Sequence, residues 1–386
     1  MREFARLTRR DSPPAHGPIR VLMILDSFSF GGAENLVVEL GRHSPANLDI
    51  AVASLAPAAQ GRNALFGRLE EAGLAPTYIG VNRLRDMIGF VRMVRMLRRA
   101  PIDVVHAHLG SSAILVPFAA RLAGKPVVAT LHVCPQPKAP RRERIKERLS
   151  VRIPARLGRL VLVSRHAYDE FAARYGPARS TWRVVPNGVD LDRFTVRSAR
   201  PSIDRPVWAA VAALRADKNH VGLIHAWEKV VAAYPGATLL IVGDGPARAD
   251  IEAAVSAAGL GESVEFLGRQ EDIPAILRTV DGVVSASVDE ALPTALLEGA
   301  ACGLPVVAAD AGGTRETLVD GVTGRLVAVR DIPALAEALL EIIGDPDKAA
   351  RFGAAGRAMV EEKYSLGIWV ENLVDLYRDV MGGVRA

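Results

Sequence analysis

The chain has 386 residues, 49% of them apolar and 24% charged, with a net charge of +5. This composition excludes a mainly disordered protein, and the length exceeds one compact core and suits two domains of roughly 180 residues each. The charge is uneven: residues 1–200 carry 32 Lys and Arg against 16 Asp and Glu, whereas residues 201–386 carry 16 against 27.

Residues 1–18 read as a mobile basic leader, kept extended by Pro13, Pro14 and Pro18. Regular structure is expected from Ile19. The run Ile19–Leu25 is a buried strand, Ser29–Gly32 a glycine turn, and Ala33–Gly41 a helix with apolar residues at helical spacing. Further strands are predicted at Asp49–Ser54, Thr77–Ile79, Val104–His106, Val127–Leu131 and Leu160–Val163, with helical stretches between most of them. Such alternation builds a largely parallel sheet covered on both faces, a Rossmann-like half. The stretch Val184–Phe194 breaks the periodicity, and the polar run to Pro206 reads as a linker. A second domain then follows, with strands at Val207–Ala213, Thr238–Val242, Val264–Phe266, Gly282–Ser285 and Val306–Ala308. The expected α/β architecture is therefore an acceptor-side domain over 19–198, a second α/β domain over 199–365 and a ligand cleft between them. A last helix, about Leu366–Met381, carries Trp369, Leu373, Leu376 and Tyr377 on one face and can dock on either domain, packing back on the first being one choice. The terminal segment is taken as 366–386.

Chemistry concentrates around Glu290 and Glu298, which have seven residues between them. One carboxylate stands just before a helix and the other about one turn inside it, with Pro293 suited to the first helical position. Two acceptors at that spacing reach different hydroxyls of one ligand, while the helix start between them (Leu292, Pro293, Thr294 and Ala295) directs free N–H groups and the positive dipole end toward an anion. A nucleotide sugar has both kinds of group. Taken alone, the pair is a weak pattern that reads as two solvated glutamates on a helix, and the surrounding residues change that reading.

The order of motifs over residues 19–380 resembles the family-4 retaining glycosyltransferases, whose fold is GT-B: two Rossmann-like α/β domains facing across a deep cleft. The residues that carry the resemblance are Gly31-Gly-Ala-Glu34, Asp103-Val-Val-His-Ala-His108, Thr130-Leu-His132, Val185-Pro-Asn-Gly-Val-Asp190 and Leu214–His220. Ile241-Val-Gly-Asp-Gly-Pro246, Phe266-Leu-Gly268, the glutamate pair, Ala301–Val307, Gly312-Gly313 and Glu316 complete it.

The resemblance implies that Glu298 binds ribose hydroxyls and that Glu290 lies near the donor sugar. Lys218 matches the family lysine that neutralises the diphosphate, where negative charge accumulates as the nucleoside diphosphate leaves. The family arginine five residues earlier is Ala213 here, and Arg215 is the obvious substitute. Backbone N–H groups of Gly31, Gly32 and the 292–295 helix start would cradle the same diphosphate, and Gly268, Arg269 and Gln270 lie where the family contacts the base. Ala291 replaces a common glycine and would tighten the approach to the sugar. His132 corresponds to a family histidine near the reacting centre, whereas His106 and His108, near Asp103, read as packing or hydrogen-bonding groups. Asn187 and Asp190 read as hinge-turn residues. Retention in this family is usually explained by front-face attack with the leaving phosphate as base.

No Asp-x-Asp motif stands where a divalent cation would be needed, so Lys218, Arg215 and helix dipoles are expected to replace a metal, with no cofactor beyond the UDP-, GDP- or ADP-sugar substrate. The basic, apolar-studded stretch Lys138–Arg159 and the helix Arg83–Arg99 both belong to the first half, and the former would rest on an anionic membrane surface. Membrane phosphates suit the basic half better than nucleic acid does. Cys134 and Cys302 form no metal or disulfide pattern, and no signal peptide or 18-residue apolar run is present, so a cytoplasmic protein, peripheral on the inner membrane face, is expected. The function read from these residues is a retaining, metal-independent hexosyltransferase acting on a sugar, glycolipid or small-molecule acceptor in polysaccharide or glycolipid biosynthesis. A nucleotide-sugar epimerase and a non-catalytic nucleotide-binding scaffold are the alternatives.

Overall fold

A computed structural model describes residues 17–43, 45–136, 139–196 and 204–382. The leader up to residue 16, the linker segment 197–203, Lys138 and residues 383–386 lie outside the described residues. The chain divides into two compact units, 1–188 with 366–386, and 189–365.

In chain order, unit 1 contains β1 (Ile19–Leu25), α1 (Gly32–His43), β2 (Leu48–Ser54), α2 (Phe66–Glu71), β3 (Pro76–Tyr78), α3 (Met87–Arg99), β4 (Val104–His108), α4 (Gly110–Ala123), β5 (Val127–Leu131), α5 (Arg141–Leu157), β6 (Arg159–Leu162), α6 (Arg165–Tyr175) and β7 (Trp182–Val184). Unit 2 follows with β8 (Val207–Val211), α7 (His220–Ala233), β9 (Thr238–Val242), α8 (Arg248–Ala257), β10 (Val264–Gly268), α9 (Ile273–Leu277), β11 (Gly282–Ser285), α10 (Thr294–Ala301), β12 (Val306–Ala309), α11 (Thr314–Thr317), β13 (Gly324–Val327), α12 (Ile332–Ile343) and α13 (Pro346–Lys363). The chain then returns to unit 1 as α14 (Leu366–Gly382).

Both sheets are parallel, in the orders β3-β2-β1-β4-β5-β6-β7 and β10-β9-β8-β11-β12-β13. Strand order reverses between β1 and β4 in unit 1 and between β8 and β11 in unit 2. In doubly wound sheets, ligands bind at such reversals, beyond the carboxyl ends of the strands. The strands are near-continuous apolar runs because helices cover both faces; β1, for example, is buried at all but one position.

Within the basic stretch Lys138–Arg159 the helix is α5, and Arg159 begins a strand. Two strands escaped the sequence reading, β7 and β13, each short and carrying an arginine, Arg183 or Arg325. The expected domain boundary at 198/199 falls ten residues earlier. The reason is local: Val189 N–H donates to the Tyr364 carbonyl at 2.7 Å, and Arg357 Nη1 donates to the Phe194 carbonyl, also at 2.7 Å, so 189–196 is held by unit 2.

α14 lies in the core of unit 1, where Trp369, Leu373, Leu376 and Tyr377 pack with β1, α1 and α2 residues. Its buried polar end is satisfied too, because the Tyr377 hydroxyl lies 2.7 Å from His106 Nδ1. Trp369→Ala is expected to lower the stability of unit 1 by about 3–5 kcal/mol. Urea unfolding followed by hydrogen exchange in β1 and β4 measures it, and an unchanged midpoint would contradict the docking of α14.

Candidate active site

In unit 2 the loops after β8 and β11 meet. The β8 loop makes a short 3-10 turn, Ala216–Lys218, and is pinned at Leu214, whose N–H donates to the Asp244 carbonyl and whose carbonyl accepts from Ala247 N–H. It packs so closely on Gly243 and Gly245 that a β-carbon on Gly243 would stand 1.9 Å from the Ala212 carbonyl oxygen. Only glycine fits there, and at φ +142 only glycine is comfortable. The loop also grips its neighbour through Val288 N–H donating to the Asp217 carbonyl at 2.8 Å.

These ties place Lys218 Nζ 2.6 Å from Glu290 Oε1, with the two side chains only 13% and 14% exposed. Glu290 is fixed from the other side, since Gly313 N–H donates to its carbonyl at 2.8 Å; this gives the Gly312-Gly313 motif a structural purpose. Arg215, 55% exposed, makes a two-pronged pair with Asp217 at 2.9 and 2.6 Å. That bond, followed by the charges of Asp217, Glu290 and Asp289, raises the guanidinium's already high pKa. Asp217 was missed in the sequence reading, although its place between Arg215 and Lys218 was a signal. His220, the first residue of α7, is buried, and burial followed by the Lys218 charge pushes its pKa down to about 4.

α10 starts at Thr294, so Pro293 is its capping residue and not, as expected, the first helical one. Its ψ of 88 keeps it outside the helix, and Leu296 N–H already bonds the Pro293 carbonyl. Leu292 is buried at the approach, and Glu298 lies one turn inside the helix, half-buried. The thiol of Cys302, one turn further on, is pushed up to about 12 by burial first and by the Glu298 charge second. Gly268 ends β10 at φ +64 with its carbonyl accepting from Gly243 N–H, and the exposed Arg269 follows it. Lys218, Arg215, Glu290, Glu298, Gly268 and Arg269 thus share the carboxyl edge of one sheet.

Gly31, Gly32 and His132 belong to unit 1. Gly32 opens α1, but the Glu34 carboxylate folds back over this helix start, where a β-carbon on Gly31 would lie 2.2 Å from Glu34 Oε2. Burial first, with the Asp26 charge adding to it, raises the Glu34 carboxyl to about 7. The expected anion cradle therefore already contains a carboxylate of the chain itself.

Asp26, at the end of β1, accepts from Ser111 N–H at 3.0 Å and Ser112 N–H at 2.6 Å, capping α4 from across the sheet. Burial nevertheless raises its pKa. The residue before α4, Leu109, has φ 76 and ψ −175, a conformation that costs a side-chain-bearing residue on the order of 1–3 kcal/mol. Asp26, Leu109, Ser111, His132 and Glu147 line a cavity of about 350 Å³.

His132 sits just past β5 in a stack of imidazoles: His106 and His108 centroids are 4.1 Å apart, and those of His108 and His132 5.4 Å. His106 Nε2 lies 2.7 Å from Thr130 Oγ1, and His108 Nδ1 lies 3.1 Å from His132 Nε2. His106 and His108 are hydrogen-bonding groups as expected, but Asp103 is not their partner. It pairs instead with Arg20 at 2.8 Å, because both lie at the amino ends of adjacent strands. Burial lowers His106 to about 3 and His132 to about 4, with His108 also well below its ordinary value, so all three rings are neutral at pH 7. Neutral rings facing across 3.1 Å share one proton between them. If His108 donates, His132 Nδ1 carries an N–H; if His132 donates, its Nδ1 is an acceptor. That Nδ1 atom is buried with no hydrogen bond and belongs to a cavity-lining ring, so the tautomer of His108 sets what His132 offers a ligand.

Among the described residues no three His, Cys, Asp or Glu side chains converge as metal ligands would.

The stacked histidines also dictate a pH dependence. The unfolded chain takes up protons near pH 6.5 that the folded rings refuse until about pH 4 or below, so stability is full above 6.5 and falls as pH drops through that window. Chemical denaturation at pH 7.5 and pH 5 is expected to show the loss, and His132→Gln to make it shallower. An identical slope in wild type and variant would contradict the buried neutral stack.

The family model for Glycosyltransferase Family 4 matches residues 30–193 and that for Glycosyl transferases group 1 matches 194–359. The chain is 31% identical over 291 residues to the GDP-mannose-dependent alpha-(1-6)-phosphatidylinositol monomannoside mannosyltransferase of Mycolicibacterium smegmatis, covering 69% of this chain and 74% of that protein. It is 29% identical over 330 residues to the 2-deoxystreptamine glucosyltransferase of Streptomyces kanamyceticus, covering 80% and 85%. Among solved structures it resembles Anabaena HepE in complex with UDP and glucose, with a TM-score of 0.82 at 21% identity over 94% of this chain and all of that one. Two matched family models on two parallel-sheet units leave one conclusion: the chain belongs to glycosyltransferase family 4, has the GT-B fold and is a glycosyltransferase.

Proposed function

We propose that the protein is a retaining, metal-independent transferase that moves a sugar from a nucleoside-diphosphate sugar held by unit 2 to an acceptor held by unit 1, in polysaccharide or glycolipid assembly. The observation that carries this reading is the Lys218–Glu290 pair at the carboxyl edge of the unit 2 sheet, beside Arg215 and the start of α10.

A phosphate and the Glu290 carboxylate compete for the same ammonium. A diphosphate with two or more negative charges, meeting Arg215 and the α10 dipole as well, outcompetes a single carboxylate for Lys218. Glu290 released from Lys218 becomes an acceptor for a donor-sugar hydroxyl. Glu298, one turn inside α10, accepts from the ribose hydroxyls, and the exposed Arg269 stacks on or bonds the base. Charge that builds on the leaving diphosphate is met by Lys218 and Arg215, which is the work a divalent cation does elsewhere. In unit 1, His132 Nδ1 holds a hydroxyl in the cavity that Asp26 helps to line. With these cations on the leaving group, the departing phosphate oxygen can take the proton of the attacking hydroxyl on the same face, which retains configuration.

A glycolipid acceptor agrees with the phosphatidylinositol monomannoside mannosyltransferase of Mycolicibacterium smegmatis, and a small-molecule acceptor with the 2-deoxystreptamine glucosyltransferase of Streptomyces kanamyceticus. No helix among the described residues is long and apolar enough to cross a membrane, and the two cysteines are buried and not joined in a disulfide. We place the enzyme in the cytoplasm, peripheral to the inner membrane face.

A thermal-shift and turnover screen with UDP, GDP, ADP and their common sugars tests the reading. One nucleotide is expected to stabilise the wild type, with the shift lost in Glu298→Ala and Lys218→Ala, and with Lys218→Ala lowering kcat on the order of 10²–10³-fold. Stabilisation by none of them would overturn the donor assignment. An inverted anomeric centre in the product, read by NMR, would overturn retention.

A further inference from the structure

Right-handed crossovers sort the unit 1 helices by face. Steps from β1 outward to β3 put α1 and α2 on one side, while the return to β4 and the steps to β6 put α3, α4 and α5 on the other. On that second face α3 packs against α4 and α4 against α5. α3 buries Gly89, Met93, Val94 and Leu97, yet its opposite surface begins with Met87, 68% exposed, and Ile88, 80% exposed, followed by Val91. α4 adds Phe118 and Leu122, and α5 adds Ile145 and Leu149, all standing in solvent. Met87, Ile88 and Ile145 stand at the amino-terminal ends of these helices and Phe118 and Leu122 near their other ends beside Arg98, and exposed apolar side chains along one face in this way mark an interaction surface.

Their neighbours state the chemistry of the partner. Arg92, Arg95, Arg98 and Arg99 are exposed in the turns of α3 after Val91, and Arg98 bridges to the Leu122 carbonyl of α4 at 2.9 Å. Arg141, Arg142, Arg144 and Arg148 are exposed on α5. The acids nearby are engaged: Asp86 caps α3 by accepting from Gly89 N–H, and Glu143 pairs with Lys146. A second copy of the same face would set arginine against arginine. A nucleic acid would meet the arginines but has no use for a Met-Ile tip.

We propose that the α3–α4–α5 face of unit 1 docks on an anionic phospholipid leaflet, with Met87 and Ile88 entering the acyl boundary and the α3 and α5 arginines lying on headgroup phosphates. The proposal gives the peripheral-membrane part of the functional reading a defined surface, centred on α3 and not on the 138–159 stretch alone. α5 serves both sides, since Glu143, Lys146, Glu147 and Ser150 line the His132 cavity while Ile145, Arg148 and Leu149 face outward. Helices in parallel crossovers run against the strands, so the amino-terminal turns bearing Met87, Ile88 and Ile145 lie at the same sheet edge as that cavity. Docking therefore brings the cavity to the depth at which a lipid-linked hydroxyl would be offered.

The test is sedimentation of the full chain with phosphatidylcholine vesicles, with and without phosphatidylglycerol. Wild type is expected to pellet only with the anionic vesicles. Met87→Asp/Ile88→Asp and Arg95→Glu/Arg99→Glu are each expected to weaken binding about tenfold or more. Thermal shift by the stabilising nucleoside diphosphate is expected to be unchanged in both, which shows intact folding and separates this proposal from the donor assignment. Failure of wild type to pellet, or wild-type binding by either variant, would overturn it. So would a wild-type dimer that Met87→Asp/Ile88→Asp turns to monomer without loss of vesicle binding, which would assign the face to self-association.

Discussion

Parallel strands cannot be joined by tight turns. Each must return through a crossover, nearly always a helix, and each crossover must be right-handed. That constraint governs everything else in this molecule. It forces helices onto both faces of each sheet, makes inner strands such as β1 largely apolar, and delivers every strand-to-helix loop to one edge. Where the direction of winding reverses, two such loops part and leave space between them. In unit 2 the loops flanking that space carry Lys218 and Glu290; in unit 1 they carry Asp26 and the Leu109–Ser112 helix start. The same rule of handedness separates the α14-packed face of unit 1 from its arginine-rich face.

The electrostatics of the two units are of opposite kinds. Unit 2 gathers cations and matches each with a carboxylate, Lys218 with Glu290 and Arg215 with Asp217. The Lys218–Glu290 pair, largely buried, holds its cation in position at the sheet edge. Unit 1 instead buries groups in their neutral forms. Three imidazoles are held uncharged by burial, and Glu34 is raised to about 7 over a helix start. A neutral His132 ring at the cavity suits recognition of a hydroxyl, whereas charge on offer suits phosphate. This division fits a donor on one unit and an acceptor on the other.

Much of this was legible in the sequence. Long apolar runs such as Ile19–Leu25, Val127–Leu131 and Thr238–Val242 gave strands whose bounds coincide with the structure, since a buried parallel strand has little freedom in composition. β7 and β13 were missed because a three- or four-residue strand containing arginine has no periodic signal. The unit boundary was misplaced because Val189 and Phe194 are fixed by Tyr364 and Arg357, some 160 to 175 residues away, which no local pattern reveals. Glu290, Glu298 and Lys218 stood out through motif order, and the contact of Lys218 with Glu290 brings two of them together. The capping role of Asp26, the Glu34 fold-back and the His108–His132 contact depend on tertiary distances between polar groups, and sequence offers only the presence of those residues.

The account rests on one exchange, the passage of Lys218 from Glu290 to a phosphate. Isothermal titration of nucleoside diphosphate into Glu290→Gln measures it most directly. Removing the competing carboxylate is expected to tighten diphosphate binding relative to wild type while sugar transfer is lost. Weaker or unchanged binding in Glu290→Gln would contradict the exchange and leave the ion pair a structural bond.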